Sequence, residues 1–170
     1  MSEQENNTTG AAAETAGQPA NFGLQKLYLK DVSFEAPNSP EIFSQEYKPQ
    51  VKVEMNSKAR PVADKIFEVV LNITLSSELE GKTAFLVEVQ QAGLFLLDGF
   101  NEQQANQILS TAAPEILYPY AREVIASLTG NGGFPAVHLA PVNFTALFME
   151  KMQQAQAAQA AQDSGSETVQ

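Results

Sequence analysis

The sequence predicts an α+β domain in which four strands precede two helices. Three observations carry this. Between Leu24 and Phe95, apolar residues alternate with period two in four separate stretches. Beyond Asn101 they recur instead at steps of three and four residues. The 170 residues are 44 % hydrophobic, which suits one domain with a substantial core and not a disordered chain.

The elements follow in order. Residues 1–21 are polar, small and aperiodic, and read as a flexible tail. They contain no basic region followed by an apolar run, so they do not read as a secretory signal. The first strand, Leu24–Ala36, puts Gln25, Leu27, Leu29, Asp31, Ser33 and Glu35 on one face, with Tyr28, Val32 and Phe34 on the other. Pro37, Pro40 and Pro49 then interrupt regular structure and mark a long crossing loop. Val51–Met55 alternates as a half-buried second strand. Ile66–Leu79 is a longer third strand, with a stripe of Phe67, Val69, Leu71, Ile73 and Leu75. "ELEGKT" turns the chain, and "TAFLVEVQQAGLF" returns as the fourth strand of an antiparallel hairpin. Asn101 with Gln104 forms a capping-box pattern at the start of a helix. Pro114 and Pro119 lie inside that helical pattern and predict one kinked helix or two pieces, ending at Gly130. Asn143 caps a last helix carrying Phe144, Leu147, Phe148 and Met152. Residues 22–154 make up the expected domain, and 155–170 an Ala/Gln-rich extension with a mobile end.

Composition excludes several function classes. A net charge of −10 repels phosphate backbones, so nucleic acid is a poor partner and basic partners are favoured. There is no cysteine, which removes disulfides and thiolate metal sites and suits a reducing, cytoplasmic setting. No run of 18 apolar residues exists to insert into a membrane. "GKT" at Gly81–Thr83 lacks the P-loop's earlier glycine, Ser76 standing there, and a strand follows it where a helix is required. His138 is the one histidine, so neither a catalytic triad nor a histidine metal site can be assembled, and a structural role is expected. Glu78 and Glu80 fall at a solvated turn. No cofactor, metal or enzyme activity is expected, and the remaining candidates are binding surfaces.

One feature of the fourth strand marks such a surface. Phe85, Val87 and Val89 point to one face, while Leu86 shares the other with Glu88 and Gln90. A four-stranded sheet with one long helix has two faces and a single cover. If the other face stays apolar in part, a second subunit or a partner must cover it.

"KDVSFEAPNSP", "FEVVLNITL", "TAFLVEVQQAGLF", "YPYAREVIASL" and "LAPVNFTALFM" together resemble the bacterial protein-export chaperone family SecB, over roughly Phe22 to Gln154. The resemblance implies a four-stranded antiparallel sheet with a long helix and a C-terminal helix, assembled as a homotetramer, a dimer of dimers. It implies an ATP-independent holdase that binds unfolded secretory precursors and delivers them to the SecA motor ATPase. It places docking of SecA's basic, zinc-bearing C-terminal segment on Asp31, Glu35, Leu86 and Glu88, the zinc belonging to the partner. It places the client groove on Ile42, Phe43 and Tyr47 of the crossing loop, on Val51, Val53 and Met55, and on Phe134 and Leu147. Tyr47 stands where the family often has tryptophan. Val87, Val89 and Gln91, with Leu109, Ile116 and Tyr120 on the helix, fall on the subunit seam. Ordinary core packing is the alternative for the groove and seam residues. Two other readings stay open at this point. One is a SecB-like chaperone for a dedicated client such as a toxin–antitoxin pair, and the other is an acidic scaffold that retains only the fold.

Overall fold

The computed structural model describes residues 19–165. The expected N-terminal tail, up to residue 18, and the last five residues of the expected mobile end lie outside the described residues. Strands β1 (Asn21–Glu35), β2 (Gln50–Ala63), β3 (Ile66–Leu79) and β4 (Lys82–Asp98) form one antiparallel sheet in the order β1-β4-β3-β2. Helices α1 (Glu102–Ser110), α2 (Ala112–Asn131) and α3 (Phe144–Gly165) follow. This is the α+β order expected from the sequence. The turn between β3 and β4 has Glu80 and Gly81 both at positive φ, as a tight two-residue hairpin requires.

The register assigns each side chain to a face. Inner-face rows run Val51–Ser77–Phe85, Val53–Leu75–Val87–Phe34 and Met55–Ile73–Val89–Val32 across β2, β3, β4 and, for the last two, β1. The intervening rows point outward. Helix α2 packs on the inner face over β4 and β3, and the core closes around Phe85, Phe95, Leu71, Leu117 and Ile125. Gly93 lets α2 approach here. A Cβ on it would lie 3.0 Å from Leu117 Cδ2 and 3.0 Å from Leu24 Cδ1. Among the described residues no helix lies on the outer face, and its Leu86, Gln90 and Val70 are half-buried.

Three expectations need correction. Strict alternation along β1 fails, because the pairing with β4 shifts between Leu24 and Lys26 and again between Leu29 and Asp31. Each bulge adds a residue and reverses the facing. Leu27 and Leu29 therefore join Val32 and Phe34 on the inner face, and Tyr28 points outward. β2 is more than twice the expected length. It continues through "NSKARPVA", and Pro61 is tolerated because β2 is an edge strand. The helix α2 passes Gly130 and ends with Gly132, whose N–H donates to the carbonyl of Leu128. A Cβ at Gly132 would lie 2.1 Å from the Phe34 ring, so this glycine lets β1 pack on the helix end. α3 runs past Met152 to Gly165, where the apolar period has already stopped, as the helix propensity of Ala and Gln allows.

The expected interruption is real. α1 stops at Thr111 and α2 starts again with Pro114 in its first turn, where no N–H is needed. Pro119 sits within α2 without ending it. The capping box is complete: Gln104 N–H donates to Asn101 Oδ1 at 2.9 Å, and Asn101 N–H donates to Gln104 Oε1 at 3.1 Å. Asn101→Ala is expected to lower stability by about 1 kcal/mol, seen as an earlier denaturant midpoint with an unchanged slope.

Candidate functional site

The inner face is not fully covered. α2 reaches β4 and β3 but leaves β2 bare, so Val51 and Val53 are 45 % and 43 % exposed. At one end of this open strip the crossing loop folds back. Its 3-10 turn, Glu41–Ser44, buries Ile42 in the core and leaves Phe43 50 % exposed. Phe43 and Tyr47 lean on Phe134, with ring centroids 5.1 and 6.3 Å apart, and Phe134 rests on Phe85 at 4.9 Å. Phe134 is itself seated by Thr129. The buried Thr129 hydroxyl donates to the Ile125 carbonyl and accepts from the Val137 N–H at 3.0 Å, which ties the linker to the end of α2. Tyr118 donates to the Ala140 carbonyl and holds the next stretch. At the other end, Met55 and Leu147 share a cleft of about 310 Å³ with Phe144, Phe148 and Met152 of α3.

The eight candidate groove residues thus fall into two groups joined by β2. Phe43, Tyr47 and Phe134 form an aromatic cluster, Val51 and Val53 bridge, and Met55 with Leu147 opens a second cleft. Ile42 lies in the core beneath the cluster and offers no surface of its own. Sequence reasoning missed Phe144, Phe148 and Met152 as part of the far wall. Their spacing on α3 was the available signal.

The acidic candidates also come together, on the opposite face. Glu35 pairs directly with Leu86, Ser33 with Glu88, and Asp31 with Gln90. Glu35, Glu88 and Asp31 are exposed around a half-buried leucine. Glu54 lies across the sheet in the Glu88 row, bound to Lys52 at 2.5 Å. An apolar anchor among carboxylates fits a cationic segment: the acids steer it and the leucine is desolvated.

Further along the same face is a cluster that the sequence did not reveal. Glu68 of β3 is 3 % exposed, and its carboxylate accepts from Lys30 Nζ at 2.8 Å, from Arg60 Nε at 2.6 Å and from the Tyr28 hydroxyl. These three come from β1 and β2, so one buried anion ties three strands of the sheet. The Lys30 and Tyr28 hydrogen bonds, helped by that of Arg60, hold the Glu68 carboxyl down at about 2 against the effect of burial. Burial and then the bond to Glu68 push the Tyr28 hydroxyl up to about 12. Nothing in a single strand's pattern signals such a cross-strand arrangement.

Of the seam candidates, Val87, Val89, Gln91 and Leu109 are buried within this chain. Gln91 donates to the Tyr28 carbonyl at 2.9 Å. Ile116 is half-buried and Tyr120 is exposed, on α2 beside β1. His138 is exposed, and no group of residues able to hold a metal occurs among the described residues. No helix is long and apolar enough to cross a membrane among the described residues.

A sheet backed by helices, with an open apolar strip on one face and an acid-ringed leucine on the other, defines a protein-binding module. The family model described as preprotein translocase subunit SecB matches residues 14–155. The chain is 47 % identical over 157 residues to the protein-export protein SecB of Nitrosococcus oceani, covering 91 % of this chain and 96 % of that protein. It is 51 % identical over 149 residues to the protein-export protein SecB of Hahella chejuensis, covering 88 % and 93 %. Its fold is similar to that of the SecB-like chaperone Rv1957 of Mycobacterium tuberculosis, solved with a ChAD peptide from the HigA1 antitoxin. That similarity has a TM-score of 0.59 at 18 % identity, covering 72 % of this chain and 90 % of the other. The chain belongs to the SecB family.

Proposed function

We propose that this protein is an ATP-independent export chaperone that holds unfolded precursors and passes them to the SecA motor. The observation that carries the reading is the open inner strip, from Phe43 and Tyr47 past Val51 and Val53 to the cleft at Met55 and Leu147. It combines aromatic, β-branched and methionine surface with a strand edge that is unpaired among the described residues. Such surface selects for apolar side chains and extended backbone more than for one sequence. The protein acts by binding and not by catalysis. The names carried by the relatives at 47 % and 51 % identity favour export over a dedicated client. The test is refolding of a slow-folding secretory precursor. An equimolar amount of the assembled protein is expected to suppress it; an unchanged yield would contradict the reading.

In this proposal the groove is shared in a homotetramer, a dimer of dimers, in the cytoplasm. Support comes from the second apolar margin of the chain. β1 is an edge strand whose Leu29 and Val32 are exposed, and Tyr120 of α2 lies with Leu29 around a cleft of about 560 Å³. Covering this margin with a second copy removes it from water, and several weak grooves on one assembly hold a long client by effective concentration. Light scattering should report about four chains.

The acidic patch of Asp31, Glu35 and Glu88 around Leu86 is assigned to the basic C-terminal segment of SecA, which brings its own zinc. Exposed ion pairs contribute about 0.2–1 kcal/mol each, so the docking is modest and salt-sensitive. Glu88→Lys is expected to weaken it roughly tenfold while client affinity stays the same. Calorimetry showing equal loss of both would remove the assignment.

A further inference from the structure

We propose that the outer sheet face carries a second docking site, a basic trough between β1 and β2 that takes a partner segment bearing clustered carboxylates. Lys30 stands on one side, and Lys58 and Arg60 on the other. With Glu68, Val70 and Gln90 they line a depression of about 360 Å³. The Glu68 carboxylate is already shared by Tyr28, Lys30 and Arg60, and Lys58 makes no ion pair with any described residue. Three cations thus face Glu68, with Asp31 at the near edge opposite Gln90, which leaves a local surplus of positive charge in a chain whose net charge is −10. Lys26, opposite Leu94, extends the same sign along the face.

The chemistry of the trough selects carboxylates on a peptide. Arg60 engages Glu68 through Nε and its side chain is 64 % exposed, which leaves the rest of the guanidinium fork to a second carboxylate. Val70 on the floor offers contact to the methylenes of a glutamate side chain. The Lys30 and Arg60 head groups converge on the one Glu68 carboxylate, while Lys58 stands on the same face of β2 two residues from Arg60, about 7 Å along the strand. A segment with successive carboxylates meets Lys58 and the open part of the Arg60 fork together, whereas a lone small anion meets one. The centre of the trough, at Val70 opposite Ala92, is six residues along β4 from Leu86, about 20 Å, and opposite in sign to the acidic patch, which ends where Asp31 stands opposite Gln90. The face is therefore polar along the strands and admits an oppositely charged partner in one direction only. The proposal does not depend on the identity of what binds the acidic end.

The probe is a fluorescent hexaglutamate peptide titrated into the full chain at low ionic strength and followed by anisotropy. Binding of a polyanion against a net charge of −10 requires a local site. Lys58→Glu is expected to weaken it about tenfold and Lys58→Gln by less. Lys82→Glu, the same charge change at the β3–β4 turn, should leave it within about twofold. Both lysines are exposed and neither supports Glu68, so the fold is retained. No binding by the unmodified chain, or equal weakening by Lys58→Glu and Lys82→Glu, overturns the proposal.

Discussion

Phe134→Ala is expected to cost about 3–5 kcal/mol of stability and to abolish client binding. The ring is buried at the junction of three elements and touches Phe43, Tyr47 and Phe85, the last at the end of the sheet. Removing it opens a cavity that its neighbours cannot close. Phe85 is held by β4 and by its stacking on Phe34, and the crossing loop loses the surface it leans on. Phe43→Ala is the informative partner. Its ring is half-exposed, so the stability change should stay below about 1 kcal/mol while affinity for an unfolded precursor falls severalfold. Denaturant melts at fixed protein concentration, paired with binding titrations, check both. A wild-type melt for Phe134→Ala would mean that the loop is not anchored there. Unchanged client affinity in Phe43→Ala would remove the aromatic end from the groove.

Glu68 gives the second large effect. Glu68→Ala takes away the single acceptor of Tyr28, Lys30 and Arg60 and is expected to cost about 2 kcal/mol, less than a fully enclosed pair because both cations reach solvent. The pH dependence has a definite sign. The carboxyl titrates at about 2 in the folded chain against 4.5 for an unperturbed glutamate. Its contribution is therefore complete above about pH 4.5 and is lost as pH falls from there toward 2, where the unfolded chain takes up the proton first. Glu68→Gln should flatten that stretch of the stability profile and leave the neutral region parallel to wild type. An acid limb identical in both proteins would show that the three-strand cluster does not form.

The sheet and its helices were legible because local periodicity set them. The β3–β4 hairpin, the Asn101–Gln104 box and the break before Pro114 each announce themselves within a few residues. What stayed hidden was pairing across strands. β1 looked like one alternating strand, and only the register with β4 shows that extra residues reverse its facing twice. The second half of β2 has no alternation to read, since an edge strand beyond the cover of α2 buries little on either side. Glu68 appeared as one polar residue on a polar stripe, and its partners are 40, 38 and 8 residues away. That Asp31 shares a face with Glu35 was readable because both lie beyond the second bulge, where alternation holds; that they stand beside Leu86 and Glu88 came from the family resemblance. The groove was half readable: Phe43 and Tyr47 stood out as aromatics in a proline-rich loop, but the contribution of Phe148 and Met152 requires knowing that α3 returns to β2.

Hydrogen exchange on the full chain, alone and with an unfolded precursor, addresses the open strip directly. Amides from Tyr47 to Met55 and around Phe134 and Leu147 should slow when the unfolded precursor is added, those around Glu35 and Glu88 should not, and the same precursor in its folded state should slow neither set. Exchange in the strip that is unaltered by the unfolded chain, or slowed as much by the folded one, contradicts a surface built for non-native protein.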